Sequence, residues 1–159
     1  EGALERRPVE LDALARRTGE RFAELAEANG VRLEVSCDGP LWLRGEQRLL
    51  ERLITNLVDN AIKHTPAGGV VSLLTASQDQ DARLTVSDTG EGISPEVLPH
   101  LFDQFFKRRP ADDRSSASGL GLGLCRWIVE THHGHLDVAS APGHGTIFTV
   151  RLPLASLPA

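Results

Sequence analysis

The clearest pattern in the chain is an amphipathic helix predicted over residues 46–64. Its apolar residues recur with the spacing of one broad helix face, and Pro66 follows where the pattern stops. These apolar residues are Leu49, Leu50, Leu53, Ile54, Leu57 and Ala61. A face this wide has to be buried against a second layer of structure, which the rest of the chain must supply.

The remaining predicted elements alternate between helices and strands. Helices are expected over residues 9–29, 94–102 and 120–133. Strands are expected over residues 31–35 and 41–44 as a hairpin, over 70–76 and 82–88, and over 135–140 and 146–152 as a closing hairpin. Residues 107–118 are polar without periodicity, which predicts a mobile loop. This order predicts an α+β domain of two layers, with helices on one face of a mixed sheet.

The composition limits the classes of function. The chain has 159 residues, with 17 Lys and Arg against 22 Asp and Glu, and its formal net charge of −5 disfavours a nucleic-acid partner. No apolar run reaches the roughly 18 residues of a membrane-spanning helix, so we expect a soluble chain. The 2 cysteines are too few for a disulfide scaffold, which favours a cytoplasmic location.

The chain contains no Met and begins Glu1-Gly2-Ala3, so we expect it to be a piece of a longer protein. We expect residues 1–8 to be a linker, residues 9–153 to form one domain, and residues 154–159 to be a C-terminal tail.

A polar strip runs beside the apolar face of the helix predicted over 46–64. Asn56, Asn60 and Lys63 share this strip because their spacing is i, i+4 and i+7. Polar strips are usually solvated surface, but Asn forms helices poorly, so 2 Asn here suggest a use for their amide oxygens. Such oxygens suit a hard cation such as Mg²⁺, and a lysine one turn away suits a phosphate.

Two glycine-rich segments add to this hypothesis. Residues 88–93 read Asp-Thr-Gly-Glu-Gly-Ile after a predicted strand, where a carboxylate can accept a hydrogen bond from an exocyclic amine such as that of adenine. Residues 119–124 read Gly-Leu-Gly-Leu-Gly-Leu before a predicted helix, whose free N–H groups suit phosphates. The chain matches neither the P-loop nor the G-x-G-x-x-G fingerprint, so a different phosphate site is expected.

Five segments, taken in order, resemble the N, G1, F, G2 and G3 boxes of the ATP-binding domain of sensor histidine kinases. These segments are residues 56–64, 88–92, 102–107, 119–123 and 143–146. The family belongs to the superfamily shared with gyrase, Hsp90 and MutL, and the resemblance covers residues 8–153. It implies the Bergerat fold, a two-layer α/β sandwich with a flexible ATP lid.

The resemblance also implies roles for matching residues, with ATP and Mg²⁺ as cofactors. It implies that Asn60 binds Mg²⁺ and that Asp88 recognises the adenine amino group. Asn60, Lys63 and Lys107 form the implied catalytic set. Further implied nucleotide contacts are Asn56, His64, Gly90, Gly92, Ile93, Phe105, Phe106, Gly119, Gly121, Leu122, Gly123 and Thr146.

Hydrolysing relatives have a Glu where Asn56 lies here, so the resemblance implies slow hydrolysis and phosphoryl transfer to a protein side chain. None of the 6 His begins an H-[E/D]-x-x-x-P segment. The attacking imidazole is therefore expected on a separate dimerisation and phosphoacceptor domain of the parent, with a response regulator downstream. We expect a dimeric, membrane-anchored parent and a monomeric fragment. Two alternatives stay open: an anti-sigma-type Ser/Thr protein kinase of the same superfamily, and a non-catalytic nucleotide-binding module.

Overall fold

The computed structural model describes residues 6–102 and 113–155, and for residues 113–120 it describes the backbone only. The helices are α1 (Leu11–Ala28), α2 (Gln47–Lys63) and α3 (Asp113–Thr131), with a 3₁₀ turn at Leu98–His100. The strands are β1 (Arg7–Glu10), β2 (Arg32–Cys37), β3 (Trp42–Gly45), β4 (Val70–Gln78), β5 (Asp81–Asp88), β6 (His135–Ser140) and β7 (Thr146–Pro153). Within the described ranges, no helix is long and apolar enough to cross a lipid bilayer.

A five-stranded mixed sheet forms one layer of the domain. Its strand order is β2-β4-β5-β7-β6, with β2 and β4 parallel and the other pairs antiparallel. Burial alternates along β5, where Ala82, Leu84 and Val86 are buried between half-exposed neighbours. One face of the sheet is therefore covered and the other is open, which confirms the predicted α+β architecture.

Helix α2 lies at the centre of the covered side. Its residues Leu50, Leu53, Ile54 and Leu57 are each 0% exposed. Full burial of one such side chain contributes about 1.5–3 kcal/mol relative to leaving it in water. The apolar face predicted over residues 46–64 is therefore confirmed as core.

The predicted hairpin of residues 31–35 and 41–44 is wrong. β2 pairs with β4, whereas β3 pairs with β1 in a separate two-stranded ribbon. The physical reason is a contact distant in sequence: the Leu41 N–H donates to Oδ1 of buried Asp12 at 2.8 Å, and the Leu41 carbonyl accepts from Leu11 N–H at 2.8 Å. These bonds fix Leu41 at the start of α1, so β3 pairs with β1 and not with β2.

The N-terminal boundary also differs from the prediction, because α1 begins at Leu11 and β1 spans Arg7–Glu10. At the other end, the N–H groups of Leu154 and Ala155 donate to the carbonyls of Gln80 and Trp42. The division of the chain into linker, domain and tail stays a prediction.

Two predictions for the region before α3 are wrong. Residues 94–102 hold only the 3₁₀ turn, because Pro99 has no N–H to donate four residues back. Residues 113–118 are helical, whereas a loop was predicted over 107–118, of which residues 107–112 lie outside the described residues. Residues 113–118 contain no proline, so the helix that packs through Leu122 and Cys125 can extend back through them.

Helix α3 ends in a Schellman motif with histidine at the left-handed position. The Gly134 N–H donates to the Val129 carbonyl at 2.9 Å, and the His133 N–H donates to the Glu130 carbonyl at 3.0 Å. His133 has a φ of 63°, a conformation that glycine adopts without strain. His133 is thus a structural residue at the end of α3.

Replacing His133 by glycine should therefore stabilise the domain. We expect His133→Gly to raise the free energy of unfolding by about 0.5–1 kcal/mol, because the strain of a side chain at positive φ is removed. Urea unfolding followed by circular dichroism measures this. His135→Gly is the control, since His135 lies in β6 and glycine weakens strands. Equal destabilisation by both variants would contradict the assignment.

Candidate functional site

Asp88 is buried at the end of β5, where the residue is 9% exposed. Its Oδ1 accepts the Gly90 N–H at 2.8 Å, and the Thr146 backbone N–H is a further hydrogen-bond partner of the carboxylate. Burial raises the pKa of Asp88 above its ordinary value, although the two backbone donors and nearby His64 oppose the shift. The fold thus holds a buried acid whose charged form is supported by main-chain groups.

Ser140 links the two loops that flank Asp88. Its hydroxyl donates to the Gly145 carbonyl at 2.9 Å and accepts the Ile93 N–H at 2.8 Å. The Thr146 hydroxyl lies 2.8 Å from it and acts as donor, because the Ser140 proton is already used. The loop after β5 and the turn between β6 and β7 are thereby fixed to one another.

Three glycines allow these segments to approach closely. A Cβ atom at Gly90 would overlap the His64 carbonyl, which ends α2. A Cβ atom at Gly92 would overlap the Ala141 carbonyl, and one at Gly145 would overlap the Asp88 carbonyl. Gly92 and Gly145 also have φ values of 80° and 77°, in the left-handed region. The end of α2, the end of β5 and the β6–β7 turn therefore converge around Asp88 only with glycine at these positions.

The polar strip of α2 lies between this convergence and α3. Asn56 donates its amide N–H to the Gly121 carbonyl at 3.4 Å, so it spans the gap between the two helices. The Asn60 carbonyl accepts from the His64 N–H at 3.1 Å within the last turn of α2, which places Asn60 one turn from the groups around Asp88. Lys63 is exposed, and its ammonium lies 3.1 Å from Asp59. Asn56 and Asn60 thus lie along α2 between Gly121 and the last turn of the helix, whereas Lys63, the third residue of the strip, is paired with Asp59.

The glycine-rich segment does not form the loop that was predicted before a helix starting at residue 120. Gly119, Gly121 and Gly123 lie inside α3, and Leu122 is buried against the core. An interior helical position uses its N–H for the i−4 carbonyl, so these N–H groups are not free for a ligand. The expectation of free N–H groups at a helix start is wrong for this conformation.

The segments that converge on Asp88 lie within a region that matches a known protein family. Residues 45–156 match the model of the histidine kinase-, DNA gyrase B- and HSP90-like ATPases. The chain belongs to this family of ATPases.

Relatives and solved structures agree with the family assignment. The sensor histidine kinase RppB of Synechocystis is 40% identical over 143 residues, which cover 87% of this chain and 31% of that protein. A mycobacterial sensor histidine kinase, MprB, has a structure with a TM-score of 0.79 and 30% identity, covering 96% of this chain and 99% of that chain. Full-length ShkA in complex with AMPPNP has a TM-score of 0.83 and 26% identity, covering 99% of this chain and 33% of that chain.

The chain spans about a third or less of the length of the curated relatives it matches, for example 34% of one, 31% of another and 16% of a third. It corresponds to the ATP-binding part of sensor histidine kinases, and those relatives are larger proteins with further segments.

The donor groups fit a magnesium ion that arrives with a nucleotide. Among the described side chains, no group of three or more His, Cys, Asp or Glu could hold a metal ion alone. Asn60 offers a hard amide oxygen, and Mg²⁺ is usually bound by one or two protein oxygens with the remaining positions filled by phosphate and water. The residues present therefore fit Mg²⁺ as a nucleotide complex and not as a separate protein-bound ion.

Most of the predicted site residues in the described ranges lie in this region. Around Asp88 the structure brings together His64, Gly90, Gly92, Ile93 and Thr146. Asn56 and Gly121 meet at the other end of the strip. Phe105, Phe106 and Lys107 lie outside the described residues.

Two residues that shape the surroundings of Asp88, Ser140 and Gly145, were not singled out as site residues from the sequence. Gly145 is part of the segment compared with the G3 box, so the pattern pointed to its neighbourhood. Ser140 carries no signal in the sequence, because a lone serine at a strand end is ordinary and its hydroxyl acquires its three partners only through the tertiary fold.

Proposed function

We propose that this domain binds Mg²⁺·ATP along the polar strip of α2 and presents the γ-phosphate to a histidine on a separate domain of the same parent protein. The observation that carries the proposal is the buried Asp88 carboxylate beside the last turn of α2, in a chain of the ATPase family. The domain would act as the catalytic part of a histidine kinase in two-component signalling.

The adenine end of the site is defined by Asp88. A carboxylate accepts hydrogen bonds only, and the exocyclic amine of adenine is a donor, so the two groups are complementary. Gly90 and Gly92 leave no side chain between the carboxylate and a planar ring, and Thr146 borders the same position. A site with this polarity favours adenine over a purine that carries an acceptor at the same position.

The phosphate end lies between α2 and the glycines of α3. Asn56 and Asn60 supply amide groups there, and Asn60 would hold the Mg²⁺ ion, which neutralises charge on the phosphates when bound. Lys63 would have to leave Asp59 to contact a phosphate oxygen, a small cost for an exposed ion pair. Lys107, Phe105 and Phe106 are further proposed contacts outside the described residues.

Phosphate binding by the backbone of residues 119–123 requires α3 to unwind at its beginning. Three glycines in five residues make this unwinding inexpensive, because each is about 1 kcal/mol less favourable in a helix than alanine. Unwinding releases the Asn56–Gly121 hydrogen bond and frees both groups for the nucleotide. The proposed site therefore forms together with a change in α3.

The chemistry of the proposed reaction follows from what the chain lacks. Asn56 lies one turn before Asn60 and its amide cannot take a proton from water, so general-base hydrolysis is not supported. Phosphoryl transfer then needs an external nucleophile: an imidazole nitrogen bonds to the γ-phosphorus as the bond to the β,γ-bridging oxygen breaks and ADP leaves. We propose that a dimeric phosphoacceptor domain supplies this imidazole and passes the phosphoryl group to a response regulator. A cytoplasmic location and a membrane-anchored parent complete the proposal.

Asp88→Asn tests the adenine contact. We expect the dissociation constant of Mg²⁺·ATP, measured by calorimetry, to increase at least tenfold. The reason is that the carboxylate acceptor becomes an amide, and a hydrogen bond to a charged group is worth about 1.5–3 kcal/mol. The midpoint of thermal unfolding should not fall, since the variant removes a buried charge and Asn can still accept the Gly90 N–H. Asp81→Asn, at the opposite end of β5, is the matched control. Unchanged ATP affinity in Asp88→Asn would contradict the proposal.

The raised pKa of Asp88 predicts that ATP binding depends on pH. Since burial raises the pKa of Asp88, the carboxylate is present above that raised pKa and is lost as the pH falls through it. ATP affinity of the unmodified chain should therefore fall on acidification, beginning at a higher pH than for an exposed aspartate. Asp88→Asn should lack this component.

Gly121→Ala tests the change in α3. Its methyl group would lie 3.5 Å from the Asn56 amide nitrogen, an ordinary contact, and alanine favours the helix by about 1 kcal/mol. We expect the variant to be more stable without nucleotide and to bind Mg²⁺·ATP about fivefold more weakly, as measured by urea unfolding and calorimetry. Glu130→Ala, on the exposed part of α3, should leave the affinity unchanged. A variant that is stabilised and binds ATP normally would show that α3 does not unwind.

A further inference from the structure

The open face of the five-stranded sheet carries a row of three basic side chains. Arg83 of β5 lies directly opposite Arg151 of β7, and Arg151 lies directly opposite His135 of β6. Their strand neighbours are buried on the helix side, so the row lies on the opposite face. The buried neighbours are Ala82, Leu84, Val150 and Leu152.

The positive charge of this row is only partly compensated. Like charges directly opposite in a sheet are destabilising, and Arg83 and Arg151 are such a pair. Arg83 donates from Nη1 to Gln78 Oε1 at 3.1 Å, a neutral partner, and Arg151 lies 3.9 Å from Asp137. Asp81 lies two residues before Arg83 on the same face of β5. Two guanidinium groups thus lie side by side on this face, with Asp81 and Asp137 as neighbouring carboxylates.

One nitrogen of the row has an unmet hydrogen bond. The Nε atom of Arg83 is buried and has no hydrogen-bond partner among the described residues. A buried donor without a partner costs about 1–3 kcal/mol, and such a group in a folded protein calls for an explanation. An oxyanion that contacts both guanidinium groups would reduce their repulsion, and it would reach the Arg83 Nε–H once that side chain moves to expose it.

An exposed apolar side chain lies on the same face. Ile147 of β7 is 44% exposed, lies opposite Ala139 of β6, and precedes Arg151 by four residues. Four residues along a strand span about 13 Å, and both side chains point to the same face. An extended segment with an acidic residue and an apolar residue four positions apart matches this spacing.

We propose that this face binds an extended, acidic segment of a partner protein. A carboxylate of the partner lies between Arg83 and Arg151, and an apolar side chain of the partner covers Ile147. The apolar contact assigns the carboxylate to a protein and not to a free inorganic anion. The Arg83–Arg151 pair lies five residues from Asp88 along β5 and five from Thr146 along β7, about 17 Å away, whereas Ile147 directly follows Thr146 and lies on the opposite face of the sheet. None of these three residues is a proposed nucleotide contact.

The experiment is a titration followed through the arginine Nε–H signals in nitrogen-15 NMR spectra of the full 159-residue chain. The probe is the capped peptide Glu-Thr-Ser-Thr-Ile, and its matched control is Gln-Thr-Ser-Thr-Ile. We expect the acidic peptide to shift the Arg83 signal with saturation at millimolar concentration, and the neutral peptide to produce no saturable shift.

Substitutions in the row, compared with one at a distant arginine, test whether the peptide binds the row specifically or is attracted by general surface charge. Arg83→Gln or Arg151→Gln should weaken binding of the acidic peptide at least tenfold. The affinity is read from the shifted signals that remain in β5 and β7. Arg32→Gln should leave the affinity unchanged, because Arg32 is an exposed arginine of β2 that already pairs with Glu34 at 3.4 Å. Ile147→Ser should weaken binding of the acidic peptide without changing any shift of the Arg83 signal that inorganic phosphate causes.

Three results would overturn the proposal. One is a peptide shift without saturation, and another is the same saturable affinity in Arg83→Gln as in the unmodified chain. The third is inorganic phosphate shifting the Arg83 signal with an affinity equal to or greater than that of the acidic peptide, which would assign the row to a small anion.

Discussion

A buried carboxylate, that of Asp88, sets the requirements for the loops around it. A charge out of water is costly unless main-chain or side-chain donors surround it, and here the N–H groups of Gly90 and Thr146 provide them. Those two donors come from different parts of the chain, so the loop after β5 and the start of β7 must both close on the same carboxylate. The glycine positions and the Ser140 hydroxyl follow from this closeness, because no side chain fits where the carbonyls of His64 and Asp88 approach.

Helix α2 connects this site to the stability of the domain. Its apolar face is fully buried, and the strip beside that face carries Asn56 and Asn60. The position of both amide groups is therefore fixed by core packing, which changes little under thermal motion. The glycine segment of α3 differs, since three glycines in five residues give it low helix propensity. A rigid helix thus faces a segment that can change conformation at low cost, which suits a site that must close around a charged ligand and then release it.

Local patterns in the sequence predicted most of the fold, and contacts between distant residues determined the rest. The periodicity of α2 and the alternation in β4, β5 and β7 are local signals, and the structure confirms them. The partner of β3 was not predictable, because it depends on the bond between Asp12 and Leu41, 29 positions apart. The start of α3 was missed because its polar residues carry no period, although the packed part of the helix extends back through them. In the site, Asp88 and its glycines were evident from their order, whereas Ser140 was not.

The central claim is that the Asp88 carboxylate recognises the amino group of adenine, and comparing ATP with inosine triphosphate tests it most directly. The two nucleotides share ribose and phosphates and differ at ring position 6, where a carbonyl oxygen replaces the amino group, and at the adjacent N1, which then carries a proton. Calorimetry with the unmodified chain and Mg²⁺ should give an inosine triphosphate affinity at least tenfold weaker than that for ATP, because a carboxylate would face a carbonyl oxygen without a proton between them. Equal affinities for the two nucleotides would contradict the account.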